Sequence, residues 1–330
     1  MPVPPSKVVL SVDTEPTVSG TITYPDRRRP LIDEPVLGMV GGRSEGLGFI
    51  LDTLREYGLP ATFFIETAHV RAFGETPMRR HVETILRADH DVQLHLHPVW
   101  TSWRDGRDEP AWRVTDECAQ LPRDRLAELF AEGRAMLERW TGKPITAARA
   151  GNFSASLDVL RASADAGLTV TSHVNIANRM PPEPELHANG GTLQIAGVRE
   201  FPATCFRQRL RLRSGWRSLS VAAISADEMI SALRGLRHSA SGLAMIVMHP
   251  FNFLKRRNVQ FEGLRADRLA QRRFRKLAQF LADHPRDFAV CTLPQLAAQH
   301  SYDGPAPDLR GSLLRTVVRI ARNWANDRLR

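Results

Sequence analysis

Strand-like and helix-like segments alternate along this chain almost from end to end, and that alternation limits the fold more than any other feature. Residues 7–15 form an apolar run closing on acids, and 44–57 follow with helical spacing at Leu47, Ile50, Leu51 and Leu54. Gly58-Leu59-Pro60 breaks that helix and leads into 61–66, which is rich in β-formers. A helix over 75–87 precedes a strand over 91–98. An irregular stretch over 100–121 comes next, then a helix over 123–140 that Gly142 and Pro144 stop. Further strands are predicted over 145–152, 168–175, 198–204, 244–249 and 288–293, with helices over 156–166, 226–237 and 265–283. A loop rich in Pro, Gly and Asn fills 178–192. Seven or eight strands in this order predict an α/β chain folded as a distorted or incomplete (β/α)7-8 barrel, a single domain. A doubly wound open sheet is the alternative, but the first βα turn has no Gly-x-Gly-x-x-Gly phosphate fingerprint. The barrel is expected over residues 1–300, with 301–330 as a basic amphipathic extension.

Within that pattern, the strand Asp91-Val92-Gln93-Leu94-His95-Leu96-His97-Pro98 ends in two histidines. Side chains alternate across a strand, so Asp91, Gln93, His95 and His97 share one face and Val92, Leu94 and Leu96 the other. Two imidazoles side by side at a strand end can grip one metal ion. A solvated or hydrogen-bonded pair has the same spacing, because imidazole is an adaptable donor and acceptor.

The company these histidines keep favours a site. In a βα barrel, chemistry sits at the C-terminal ends of the strands. Asp13 and Glu15 close the first predicted strand, Arg149 and Asn152 that over 145–152, His173 the next, and His249 the apolar run Ala244–Met248. Histidines serving only as satisfied core residues would fall at both ends of the strands. Taken one at a time, each residue has an ordinary reading: Asp13 and Glu15 as turn acids, Arg149 as a surface cation, His249-Pro250 as a strand terminator.

Ser11-Val12-Asp13-Thr14-Glu15, Ala61-Thr62-Phe63-Phe64, His95-Leu96-His97, Arg149-Ala150-Gly151, Val247-Met248-His249 and Cys291-Thr292-Leu293-Pro294-Gln295-Leu296 resemble the ordered motifs of polysaccharide deacetylases. These are metal-dependent de-N-acetylases related to the nodulation-type chitooligosaccharide enzymes. The resemblance covers residues 7–297 and implies a distorted (β/α) barrel that hydrolyses an amide on an amino sugar. Thr14 separates the two acids where the family has adjacent aspartates, yet alternation returns Asp13 and Glu15 to one face. The histidines stand two apart rather than four, and Ala-Gly-Asn follows Arg149 where the family often has prolines and an aromatic.

By this resemblance His95, His97 and Glu15 are metal ligands, Asp13 is the general base, and Arg149 pairs with and orients the Asp13 carboxylate. His249 matches the general acid that protonates the leaving nitrogen, a task suited to imidazole. One divalent metal is implied. Zn²⁺ suits the donor set best, and Fe²⁺, Co²⁺ and Ni²⁺ are compatible with it. The acyl group is expected to be acetyl. The alternatives are a deformylase or other C–N amide hydrolase on the same barrel, and a non-catalytic glycan-binding barrel.

Trp100, Trp103 and Trp112 share one irregular loop on the site side, either as a sugar-stacking platform or as loop anchors, and Asn152 is expected to contact substrate from its strand end. Net charge is +9 and the isoelectric point near 10.2. Arg27-Arg28-Arg29 and Lys255-Arg256-Arg257 fall in loops expected at the barrel mouth, and Arg207, Arg209, Arg211 and Arg213 alternate along one extended face. The two clusters at one rim suggest an anionic amino-sugar or oligosaccharide substrate, such as a phosphate-bearing glycan precursor. No nucleic-acid module is recognisable, so nucleic acid is not expected as a partner.

Three well-separated cysteines without a Cys-x-x-Cys favour a reducing compartment, and the first six residues lack the charged start and apolar core of a secretory signal. A cytoplasmic location is expected. In residues 312–330, Leu314, Val317, Val318 and Ala321 share a helical face, with Arg315, Arg319 and Arg322 on the other side. Packing onto the barrel is the expected use of this helix, and peripheral membrane contact is the alternative.

Overall fold

The first strand, β1 (Ser6–Thr14), organises the sheet because three other strands pair with it in parallel. The computed structural model describes every residue except 1–3, 22, 25–26, 103–114, 209–214, 238, 300–303 and 329–330. Val8, Val9, Leu10 and Val12 of β1 are fully buried, as a strand covered on both faces requires. Along one edge β1 runs in register with β8 (Leu243–Met248), from Lys7↔Leu243 to Val12↔Met248. Further pairing joins the end of β1 to β2 (Thr62–Glu66) and its start to β9 (Phe288–Val290).

From β2 the parallel order continues through β3 (Asp91–Leu96), β4 (Ala147–Ala150), β5 (Val170–Thr171) and β7 (Val198–Glu200). The sheet curls as it goes. At the seam, Thr204 N–H donates to the Met245 carbonyl at 3.0 Å and Met245 N–H to Thr204 Oγ1 at 2.9 Å. Val247 N–H reaches the Leu219 carbonyl at 3.0 Å. These bonds join the residues after β7 to β8 and bring the two ends of the curl together.

Helices cover the outside, several of them started or stopped by local chemistry. The α1 helix (Leu47–Tyr57) ends at Gly58 and α3 (Arg123–Thr141) at Gly142, both in the left-handed conformation that glycine tolerates. Between them α2 (Thr76–Arg87) leads into β3. Ser156 caps α4 (Leu157–Asp165). Ser225 and Glu228 form a capping box on α5 (Ala226–Leu236), and Asp267 accepts from Leu269 and Ala270 N–H at the head of α6 (Arg268–Asp283). The α7 helix (Leu293–Gln299) follows β9.

Two expectations need correction. The predicted loop over 178–192 runs into a strand, β6 (Gly191–Ile195), paired antiparallel with β7 through Ala196 and Gly197, both at positive φ. The C-terminal helix α8 (Leu313–Arg328) does dock on the barrel, but through its polar side. Arg319 Nε lies 3.0 Å from Glu228 Oε2 in a buried ion pair, and Thr316 is buried beside it, while Leu314 is 73% exposed. Among the described residues no helix is long and apolar enough to cross a membrane.

Candidate active site

The strand ends bring the predicted groups to one mouth. Asp13 lies in the last turn of the β1 ladder, Glu15 just beyond it, His95 in β3 and His97 one residue past it. Arg149 lies in β4, and His249 follows β8 directly. His95 Nε2 and His97 Nε2 each approach Glu15 Oε2 to 2.8 Å. These three residues converge closely enough to hold one metal ion.

The opposite nitrogen of each ring is committed elsewhere. His95 Nδ1 sits 2.8 Å from the Arg149 carbonyl oxygen, which can only accept, so that nitrogen carries a proton and Nε2 is the atom turned to the mouth. His97 Nδ1 lies 2.9 and 3.0 Å from the two oxygens of Asp116. Asn152, at φ +56°, donates from Nδ2 to Asp116 Oδ2 at 2.9 Å and so steadies that carboxylate. Gly151 has to be glycine, since a Cβ there would stand 2.6 Å from the His97 ring.

Arg149 is fully buried. Its Nη1 donates to Asp13 Oδ1 at 2.5 Å, its Nη2 to Ser172 Oγ at 2.9 Å and its Nε to the Ser172 carbonyl at 3.2 Å. The Phe64 ring lies 4.2 Å from the guanidinium carbon. Across the mouth His249 Nε2 stands 3.7 Å from both Asp13 Oδ2 and Glu15 Oε1, its ring against Phe251.

Charge follows from this crowding. Burial alone would lower the His97 ring, but the Glu15 and Asp116 carboxylates outweigh it and hold it well above the ordinary imidazole value. Burial would likewise raise Glu15, yet the His97 charge and the bonds from both imidazoles hold it well below the carboxylate range. Three carboxylates (Asp13, Glu15 and Asp116) gather here, and the Arg149 guanidinium pairs with one of them, Asp13. The two imidazoles and one carboxylate fit a divalent ion such as Zn²⁺ by donor type.

A cavity of about 430 Å³ opens over the cluster, within the range of small-molecule sites. Asn152, Asn175, Asn178, Trp216, Arg217 and Phe251 are among its walls. A smaller annex of about 200 Å³ runs past Glu15, His97 and Asp116 to Arg256, which stacks 4.2 Å over Phe261.

The residues expected to contact substrate fall in different places. Asn152 and Arg256 reach the site. Trp100 does not offer a stacking face: it is 1% exposed and packed against Phe73, with only an edge toward the annex. Lys255 is turned away, its Nζ bonded to the Asn326 carbonyl of α8, and Arg257 lines a separate groove with Arg265 and Asp327. Arg28 stacks on Tyr24 and Arg29 pairs with Glu34 at 3.1 Å. Trp103, Trp112, Arg209, Arg211 and Arg213 lie outside the described residues.

Asp116, Ser172, Trp216, Arg217 and Phe251 escaped the sequence reading. Only Trp216 carried a compositional hint, as an aromatic beside the arginine-rich stretch. His173 proves structural: its Nδ1 accepts from Ala150 N–H at 2.8 Å, its Nε2 faces Ser163 Oγ at 3.0 Å, and its ring stacks on Phe130.

A parallel α/β barrel with a carboxylate–imidazole cluster at the C-terminal mouth of its strands is thus the class defined by fold and site. Residues 41–171 match the family model described as polysaccharide deacetylase. Over that stretch the chain is similar to polysaccharide deacetylases, in keeping with the ordered motifs. A Mycobacterium smegmatis protein provisionally described as a polysaccharide deacetylase is similar in structure, with 15% identity, a TM-score of 0.53, and coverage of 94% of this chain and 96% of that one. That likeness establishes the barrel. Weaker matches include a CE4-family pseudoenzyme from Bacillus anthracis (12% identity, TM-score 0.42, 88% of this chain and 65% of that one). Another is a family 4 acetyl xylan esterase from Clostridium thermocellum in complex with a cobalt ion (15% identity, TM-score 0.43, 88% and 90%). No curated protein matches the sequence.

The buried His173 gives a pH dependence with a definite sign. Burial, then the Arg149 and His95 charges, push it down to about 3 from an ordinary 6.5. Between those values the unfolded chain binds the proton and the folded chain does not. Stability should therefore rise with pH across that window, by up to about 1.4 kcal/mol per pH unit, and level off above it. Asparagine can keep the bond from Ala150 without titrating. Urea unfolding from pH 4 to 7 should give a steeper pH slope for the wild type than for His173→Asn, and parallel curves would refute the assignment.

Proposed function

We propose that this protein is a metal-dependent carbohydrate de-N-acetylase, removing an acyl group, most simply acetyl, from the nitrogen of an amino sugar or glycan precursor. The observation that carries the reading is the convergence of His95 Nε2 and His97 Nε2 on one oxygen of Glu15, with Asp13 and His249 across the same opening. A glycan-binding barrel would have no use for five ionisable groups gathered in this way, so the catalytic reading is preferred.

His95, His97 and Glu15 would hold the metal, Zn²⁺ by donor type. Once bound, a divalent ion polarises the amide carbonyl and makes water a better nucleophile. The protein's own groups do the rest. Arg149 occupies Asp13 Oδ1, so Oδ2 is the oxygen left to take a proton from the attacking water. His249, on the facing wall and seated against Phe251, is placed to hand a proton to the departing nitrogen. Asp116 and Asn152 keep the His97 ring in one orientation. Trp216 and Phe251 offer apolar surface to a sugar ring, and the asparagines offer hydrogen bonds to its hydroxyls.

Arg217 in the cavity and Arg256 in the annex support an anionic substrate, such as a phosphate-bearing amino sugar. Three buried, free cysteines support a cytoplasmic location.

Elemental analysis and an acetate-release assay test the roles together. His95→Ala, His97→Ala and Glu15→Gln should each lose metal, whereas Asp13→Asn should keep it and lose about 10²–10⁴-fold in turnover. Equal metal content in all four variants and the wild type would dispose of the site. The anion reading has its own check. Arg256→Ser should raise KM several-fold for a phosphorylated amino sugar, leave a neutral one nearly unchanged, and lose its effect as salt screens the contact over about 8 Å. Equal KM changes on both substrates would count against it.

A further inference from the structure

The C-terminal helix α8 docks the wrong way round for a helix that merely completes a core. Its inward face is polar: Thr316, Arg319, Asn323 and Asn326, spaced i, i+3, i+7 and i+10. Arg319 enters the buried pair with Glu228 and also donates to Gln208 Oε1 at 3.1 Å. Arg273 Nη2 donates to Asn323 Oδ1, and Asn326 Nδ2 reaches Asp267 Oδ1 at 3.2 Å. Ile320 sits half-buried at the edge.

The apolar residues are on the far side. Leu314, Val317, Val318, Ala321 and Ala325 follow i, i+3, i+4, i+7 and i+11, a single stripe, with Leu313 and Trp324 along its border. All seven are exposed, Leu314 at 73% and Trp324 at 57%. Arginines frame the stripe. Arg315 and Arg322 flank one side, and Arg328 lies 3.7 Å over the Trp324 ring. Asp327 is the one acid in the helix, and it faces Lys255 at 3.4 Å.

We propose that this face is a peripheral membrane-binding surface for an anionic bilayer. Aliphatic side chains fit the acyl boundary, tryptophan fits the headgroup level, and the flanking guanidiniums fit acidic phospholipid. Charge decides against a second copy of the chain, because an isologous pairing of two such faces would bring two sets of arginines together. The polar docking face supplies what an interfacial helix on a folded domain needs. It fixes the helix to the barrel through buried pairs and leaves the whole stripe for the lipid. Lys255 ties the end of α8 to the segment that carries Arg256 and so helps to fix the helix on the barrel. The inference does not depend on the catalytic reading.

Vesicle co-sedimentation of the full chain is the test. Phosphatidylcholine vesicles containing about a third phosphatidylglycerol should bind the wild type, and pure phosphatidylcholine should bind it far less. Replacing Leu314, Val317, Val318 and Trp324 together with Ser should cut partitioning at least tenfold while leaving the melting temperature unchanged, since all four are exposed. Arg315→Ser and Arg322→Ser should each cost roughly fivefold on the anionic vesicles. Brominated lipid should quench wild-type fluorescence more than that of Trp324→Phe, a readout that does not rely on the fourfold variant folding. Absence of binding to anionic vesicles, equal quenching in the two proteins, or a concentration-dependent dimer abolished by the fourfold change without any lipid binding would each overturn the proposal.

Discussion

A guanidinium without access to water sits under the barrel mouth, and the site is arranged around it. Burying an unpaired charge costs several kcal/mol, so Arg149 must find its partners inside the protein. It finds them in Asp13, in the carbonyl and hydroxyl of Ser172, and in the face of Phe64. Two consequences reach the chemistry. Asp13 is held by one oxygen, which orients the other toward the opening and His249. The Arg149 carbonyl meanwhile accepts a hydrogen bond from His95 Nδ1, which fixes the ring and turns Nε2 toward Glu15. One residue of β4 thus orients an acid from β1 and an imidazole from β3.

The barrel was legible because buried parallel strands and covering helices leave different periods in the sequence, and because glycines and capping side chains mark their ends. The acid–histidine cluster was legible for a related reason. Period-two alternation puts His95 with His97, and Asp13 with Glu15, whatever the details of the loops. Beyond the strand ends that rule lapses. Asp116 orients His97 across 19 positions from a stretch with no periodicity, so no spacing could announce it. Ser172, next to a histidine that looked more interesting, supplies the contacts that Arg149 needs. Trp100 could have been a sugar platform or a loop anchor, and packing against Phe73 claims the ring for the second role. The strand β6 was hidden because one half of its turn, Ala196, adopts positive φ without the usual glycine or asparagine to signal it.

The basic residues teach the same lesson about what a run of like charge can mean. Lys255-Arg256-Arg257 reads as one patch, and all three border the groove with Arg265 and Asp327, but their further engagements differ. Lys255 also holds the C-terminal helix, Arg256 also reaches the annex beside Glu15, and Arg257 lines the groove without either of these roles. A net charge of +9 is therefore distributed among structural, active-site and surface tasks. Only the position of each group, and not the sum, bears on recognition.

Helix α8 shows the limit of amphipathicity as a guide. A periodic pattern identifies two faces, and the usual assumption that the apolar one packs inward rests on the hydrophobic gain of burial. Here a specific partner reverses the choice. Glu228 belongs to a capping box on α5, 91 positions before Arg319, and is almost wholly buried. Left alone it would be a costly charge in a dry place, and Arg319 is the cation that meets it. Satisfying that carboxylate rotates α8 so that its arginine and asparagines face the protein and its leucines and valines face outward. The orientation is decided by a pairing between distant elements, which no local window can contain, and it converts an ordinary amphipathic helix into an outward-facing apolar surface.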